Sequence, residues 1–214
     1  MLTLHTYFYS SAAYRVRIAL NLKGITYESV AYDLRKKAHQ NDAYLRLNPQ
    51  GLVPSLVDDG NVLAQSLAII EYLEEKHPEP ALMPAEPLDR ARVRAIAQSI
   101  ACDIHPLNNL RVLRYLVHEA KLPEATKDAW YAHWVAVGFA ALESMLASDP
   151  RTGRFCHGDA PGLADCCLVP QVANARRFKL PLKAYPTIVR IDETARALPT
   201  FVAAAPEAQA DYSP

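Results

Sequence analysis

The sequence has no excess of either charge: 23 lysines and arginines stand against 23 aspartates and glutamates in 214 residues. No basic block or stripe breaks that balance, which argues against a nucleic-acid partner, whose phosphates demand a positive surface. Long apolar runs are missing as well. Half of the residues are hydrophobic, yet charges interrupt every stretch well short of the roughly 20 apolar residues that a membrane span needs. The start Met1-Leu2-Thr3 offers neither a basic n-region nor an apolar h-region, so no secretory signal is expected and the chain reads as cytoplasmic. The four cysteines (Cys102, Cys156, Cys166, Cys167) make no C-x-x-C pair and no zinc spacing. They read as small buried hydrophobes of a reducing compartment, and a disulfide reductase lacks its motif. The seven histidines include no H-x-x-x-H pair, so no metal site is expected. Repeats and low-complexity tracts are absent.

What is present divides in two. Leu2 and Leu4 alternate with Thr3 and His5 in a short strand. Val16, Ala19, Leu20 and Lys23 then keep helical spacing over 14–23, and Gly24 supplies the residue beyond the helix end. Residues 27–32 alternate again, so strand, helix and strand predict a right-handed crossover and a parallel pair. A short helix near 42–47 follows. Residues 53–57 and 62–64 flank Asp58-Asp59-Gly60-Asn61, the signature of a hairpin. Ser66 reads as the N-cap of a helix through Leu73. This β-α-β then β-β-α order predicts a thioredoxin-like domain over residues 1–80. Pro78, Pro80, Pro84 and Pro87 mark a linker, assigned to 81–88. Residues 89–214 are expected to be all-helical. One long run starts at Asp89 and is kinked at Pro106, further helices cover 124–146, 163–178 and 188–197, and the last nine residues read as frayed. The fold class is α/β followed by all-α.

Three weak signals point one way when taken in order. Ser10 and Ser11 stand where a strand runs into a helix; they read as a helix cap or as a seat for an anion, held by free N–H groups and the macrodipole. Val53-Pro54 opens a strand, where a cis proline in this kind of sheet would offer the Val53 backbone to an extended peptide. Gln65-Ser66 starts another helix, suited to a carboxylate. A peptide anchored at Ser66 and paired with Val53 would carry its middle residue to Ser10 and Ser11. A cysteine there would be held as a thiolate, its pKa dropping from about 8.5. Glutathione fits that description.

The motifs S-S-x-x-x-R-V-R-I-A-L, N-P-x-x-x-V-P-x-L, Q-S-x-A-I-I-E-Y-L-E-E and A-D-x-C-L-V-P-Q-V-A-N-A-x-R-F resemble those of zeta-class glutathione transferases, over residues 2 to about 205. The resemblance implies the glutathione transferase fold and a cytosolic homodimer. It implies a glutathione-dependent cis–trans isomerase of a small dicarboxylic keto acid, maleylpyruvate or maleylacetoacetate, in aromatic or tyrosine catabolism. By this resemblance Ser10 and Ser11 sit beside the glutathione sulfur, and Arg15 closes that catalytic segment. His39 holds the glycine carboxylate, Val53 and Pro54 pair with the peptide, and Gln65 and Ser66 hold the γ-glutamyl end. His105, Asn109, Leu110 and Arg111 match a second-domain segment lining the cleft. Arg177 matches an arginine that binds a substrate carboxylate, with Arg176 either its partner or a solvated neighbour, and Tyr9 stands where many members have an arginine. Ala12 replaces the usual cysteine, so the nucleophile must come from glutathione. Gly162 replaces the usual Thr or Ser before Asp165, leaving a capping box incomplete. Two alternatives use the same residues differently: a general transferase, peroxidase or dehalogenase acting on small electrophilic acids, and a non-catalytic interaction module.

Overall fold

The structure is a computed structural model that describes residues 1–213. They form two units, one of Met1–Met83 together with the stretch from Arg196 onward, the other of Pro84–Ala195. The end of the chain therefore departs from expectation. Residues 89–214 were assigned to one helical domain with a frayed end, but the stretch from Arg196 folds with the first unit. The cause is polar as well as apolar. Arg17 Nε donates to the carbonyl of Ala204 at 2.9 Å and Asn21 Nδ2 to that of Thr200 at 3.0 Å, and Phe201 and Ala204 are buried.

In the first unit, β1 (Thr3–Thr6), β2 (Glu28–Ala31), β3 (Ser55–Asp58) and β4 (Asn61–Ala64) form one sheet in the order β2-β1-β3-β4. β1 runs parallel to β2 and antiparallel to β3, and β3 pairs antiparallel with β4. The parallel pair follows from the crossover through α1 (Ser11–Leu22). The hairpin turn has Asp59 at φ +47° and Gly60 at φ +83°, the two positive values that a tight turn matched to strand twist requires. Leu4 and Leu56 from the sheet are buried with Val16, Ile18 and Leu20 of α1 and with Ile69 and Leu73 of α3 (Ser66–Lys76). Between sheet strands lies the short α2 (Asp42–Leu47), capped by the side chain of Asn41. Near the end of the chain, α10 (Pro199–Ala204) packs on α1.

The second unit is helical. The run expected from Asp89 is divided. α4 (Pro87–Gln98) widens into π-helical turns over Ser99–Ile104, followed by α5 (His105–Asn108) and α6 (Leu110–Arg114). Pro106 has no N–H to give the preceding turn, and a wider turn accommodates that loss. Asn109 then breaks the helix with ψ 144° and restarts it by accepting from the Arg111 amide at 3.0 Å. α7 (Glu124–Ala147) is the longest helix. α8 (Leu163–Arg177) is almost wholly buried up to Val172. Asp165 within it accepts from the backbone N–H groups of Gly162 and Cys156, each at 2.9 Å. Half of the capping box thus survives, the half that needs no side chain at Gly162. α9 (Pro186–Arg196) starts on the Glu143 carboxylate, which accepts from Thr187 and Ile188 amides. No described helix is long and apolar enough to cross a membrane.

Candidate active site

Ser10 is the N-cap of α1, its Oγ accepting from the Ala13 amide at 3.2 Å. The same hydroxyl lies 3.5 Å from the carbonyl oxygen of Val53. The cap reading of Ser10 therefore holds. Ser11 is the first helical residue and is buried. The Val53–Pro54 peptide bond is cis. Its loop is held from below by a buried polar network: Tyr44 Oη donates to the Leu52 carbonyl at 2.6 Å, and Asn48 Nδ2 donates to the same oxygen at 2.8 Å. Both side chains also reach Ser55 Oγ, at 3.0 and 3.1 Å. Burial pushes the Tyr44 phenol up, which keeps it a donor. From sequence Asn48 reads only as a turn residue and Tyr44 is not singled out; Asn48 stands four residues before Leu52 and seven before Ser55, and Tyr44 eight and eleven.

The third element starts differently from expectation. Ser66 is the first residue of α3 and not its cap; Gln65 holds the cap position at φ +69° and ψ 117°. A side chain in that left-handed region is unusual and is typical of sites where function fixes the backbone. Gln65 Nε2 donates to Gln50 Oε1 at 3.0 Å, a partner that the sequence did not mark. Arg15, expected to belong to the catalytic segment, is buried and donates from Nη1 to Ser66 Oγ at 3.2 Å. It ties the start of α3 to α1. His39 is buried in a short 3-10 turn after Lys37, which has φ +57°. A Cβ on Gly51 would lie 3.5 Å from the His39 carbonyl, so this turn lies against the loop that leads to Val53. Tyr9 is half-buried, its ring 4.3 Å from Phe8 and 6.1 Å from Tyr212 between centroids.

The residues expected from the helical unit do not all share a task. Asn109 Nδ2 lies 3.4 Å from His105 Nε2, one turn earlier. Arg111 is exposed at the second position of α6. Arg176, expected beside the substrate, is paired with the buried carboxylate of Asp192 on α9; its geometry is that of a strut between two helices. Arg177 is exposed, with its guanidinium carbon 5.3 Å from the centroid of Phe178. Phe178 stacks on Tyr131 at 3.8 Å and 13°, and burial pushes the Tyr131 phenol up to about 12, against the pull of Arg177. A cation at the end of α8 also complements the helix dipole.

Chemically, the first unit gathers hydroxyls, amides, helix-end N–H groups and a buried guanidinium, but no thiol, since Ala12 follows Ser11. That donor set suits an anionic peptide that brings its own sulfur. The two α-helix starts at Ser10 and Gln65 favour negative charge, and a thiolate at the first would be stabilised.

The family model for the glutathione S-transferase N-terminal domain matches residues 4–81. The maleylpyruvate isomerase of Ralstonia sp. is 50% identical over 208 residues, 97% of this chain and 98% of that one. The probable maleylacetoacetate isomerase of Vibrio cholerae is also 50% identical, over 98% of each. Among solved structures, a zeta-class bacterial maleylpyruvate isomerase in its holo form superimposes with a TM-score of 0.96 at 50% identity, covering 99% of this chain and 100% of that one. A maleylacetoacetate isomerase from Methylobacterium extorquens AM1, bound to malonate and glutathione, gives 0.96 at 42% identity, with coverage of 99% and 100%. With two hydroxyls at one helix start, a cis proline beside them and relatives of this closeness along its whole length, the chain belongs to the zeta class of glutathione transferases.

Proposed function

We propose that this chain is a glutathione-dependent cis–trans isomerase of a maleyl keto acid. The observation that carries the reading is the meeting of Ser10 with the Val53 backbone at the start of α1, 3.5 Å apart, in a chain whose Ala12 leaves the loop without a thiol. Relatives named for maleylpyruvate and for maleylacetoacetate stand at the same 50% identity, so the substrate is given as their common chemistry: a cis-enone between two carboxylates.

Bound glutathione supplies a thiolate that adds reversibly to the conjugated double bond, which can then rotate before the thiolate leaves. Everything else falls to the protein. Ser10, Ser11 and the helix N–H groups hold the sulfur in its anionic form at neutral pH. Val53 and Pro54 pair with the peptide backbone, Gln65 and Ser66 take its γ-glutamyl end, and His39 takes its glycine carboxylate. Arg15, by donating to Ser66 Oγ at 3.2 Å, fixes the height of that carboxylate subsite relative to α1. The resemblance gives Arg177 and Arg111 to the substrate, and His105 and Asn109 to the thiol peptide; Tyr9 stands where many relatives of the class have an arginine. A planar guanidinium grips a carboxylate at two points and stabilises negative charge as it develops along the substrate. Arg176 is left out of this set, because the buried Asp192 carboxylate occupies it. The family relationship supports a cytoplasmic homodimer. The test is loss of the enone absorbance of maleylpyruvate or maleylacetoacetate with glutathione present in catalytic amount. Stoichiometric consumption of the thiol would replace the isomerase with an ordinary transferase.

A further inference from the structure

The end of the chain, which the sequence suggested would fray, is bound at four points to the segment that precedes Ser10. Asp211 Oδ2 accepts from the Phe8 amide at 3.1 Å, across 203 residues of sequence. The ring of Tyr212 stands edge-on to Phe8 at 5.5 Å and to Tyr9 at 6.1 Å, and its hydroxyl bonds to that of Tyr9. Arg35 Nη1 donates to the Ser213 carbonyl at 3.3 Å while its guanidinium lies 5.6 Å from the Phe8 ring. The carbonyls of the same segment are taken by Arg17: Nη1 donates to Tyr7 O at 3.4 Å, Nη2 to Phe8 O at 3.1 Å, and Nε to Ala204 O at 2.9 Å. Tyr7 O also accepts from the Ser10 amide at 2.9 Å. One relay therefore runs from the tail, through Phe8 and Tyr7, to the backbone of Ser10.

We propose that the tail residues Asp211 and Tyr212 are positioning residues of the thiol site, clamping Tyr7-Phe8-Tyr9 so that Ser10 and the start of α1 face the bound sulfur in one fixed orientation. The proposal rests on the glutathione reading above. Arg17 on the Tyr7 and Phe8 carbonyls and Asp211 on the Phe8 amide together fix three backbone groups of this short segment and so oppose its rotation. Electrostatic stabilisation of a thiolate depends steeply on the orientation of the donors that face it, so a loosened Tyr7–Tyr9 segment costs thiolate stability as well as binding. Tyr212 gives the clamp a second role, because it fixes the hydroxyl of Tyr9, the residue before Ser10.

The test is a pH titration of protein-bound glutathione, followed by the ultraviolet absorbance of the thiolate, together with the glutathione dissociation constant, in the full-length protein. Asp211→Ala is expected to weaken glutathione binding about tenfold, the order lost with a charge-assisted hydrogen bond, and to move the midpoint of the bound thiol upward by about one pH unit. Asp211→Asn keeps a side-chain carbonyl for the Phe8 amide and is expected to stay within about twofold of wild type. Tyr212→Ala, which leaves the Asp211–Phe8 bond in place and removes both the ring packing on Phe8 and Tyr9 and the hydroxyl bond to Tyr9, shifts both readouts in the same direction as Asp211→Ala and carries the test should the latter not fold. Variants that titrate as wild type while only their thermal midpoint falls would overturn the proposal, leaving the tail a structural element. So would equal losses in Asp211→Asn and Asp211→Ala. A wild-type protein that leaves the thiol at its free value is a different failure: it would overturn the glutathione reading, and the clamp with it.

Discussion

Arg176 and Arg177 are neighbours with opposite expected behaviour on mutation. Arg176→Ala removes the guanidinium paired with the Asp192 carboxylate, which is 0% exposed, and breaking such a pair from one side costs about 2–4 kcal/mol after allowing for the partly exposed guanidinium. A urea titration is expected to show that loss, with glutathione binding retained in the protein that remains folded. Arg177→Ala is expected to leave the urea midpoint within about 0.5 kcal/mol and to lower kcat/KM for the keto diacid by about 10- to 100-fold, the order lost with one charged contact. Equal loss of glutathione affinity would mean that Arg177 serves the fold. Adjacency in sequence carried no sign of this division, because the partner of Arg176 lies 16 residues away on another helix. His5 makes a different prediction. Burial lowers its pKa below the ordinary 6.5, against an opposing pull from Glu28, and its Nδ1 lies 3.1 Å from Tyr32 Oη. The unfolded chain therefore takes up a proton below that value more readily than the folded one, so stability falls as pH drops through 6.5 and is regained above it. In His5→Gln the slope of urea midpoint against pH in that window should flatten; an unchanged slope would assign it to other groups.

At the scale of elements, the starts of α1 and α3 look alike in sequence and differ in construction. Ser10 caps α1 through its side chain, whereas α3 has Gln65 at its cap position, with φ +69° and no side-chain cap bond. Gln65→Gly removes the cost of that backbone angle and is expected to raise stability by about 0.5–1 kcal/mol, while glutathione binding weakens through loss of the amide. A variant that is both less stable and unaltered in binding would contradict the reading of Gln65 as a strained site residue. The strand-helix-strand order and the Asp59-Gly60 hairpin were legible because each depends on local rules, periodicity and turn chemistry; the cis Val53–Pro54 bond was legible only through the kind of sheet those elements implied. The π-helical stretch at 99–104 was not. Pro106 announced a disturbance, but whether a helix kinks or widens is decided by packing around it. Gln50 and Tyr44 escaped for a related reason. Their partners are fixed by how the loop folds back, and neither residue type is distinctive of a site.

At the scale of the whole molecule, the least legible feature was the return of the chain from Arg196 onward to the first unit. Polar anchors such as Arg17 to Ala204 and Phe8 to Asp211 span 187 and 203 residues, and no periodicity records a pairing at that distance. What was legible at this scale was the kind of ligand: balanced charge, no thiol beside the serines, and several separate anion seats. A ligand that binds only the folded protein stabilises it by about 2.7 kcal/mol at 100 times its dissociation constant. Glutathione should therefore raise the thermal midpoint in a concentration-dependent way, and S-methylation of the thiol should diminish the gain if the Ser10 end of α1 holds a thiolate. The most direct measurement is of turnover. Purified protein mixed with excess maleylpyruvate or maleylacetoacetate and a small, fixed amount of glutathione should convert many equivalents of the acid to its fumaryl isomer, with the free thiol unchanged at the end. Conversion that stops when the glutathione is used up, or that proceeds equally without it, would contradict a borrowed thiolate held by Ser10 and Ser11.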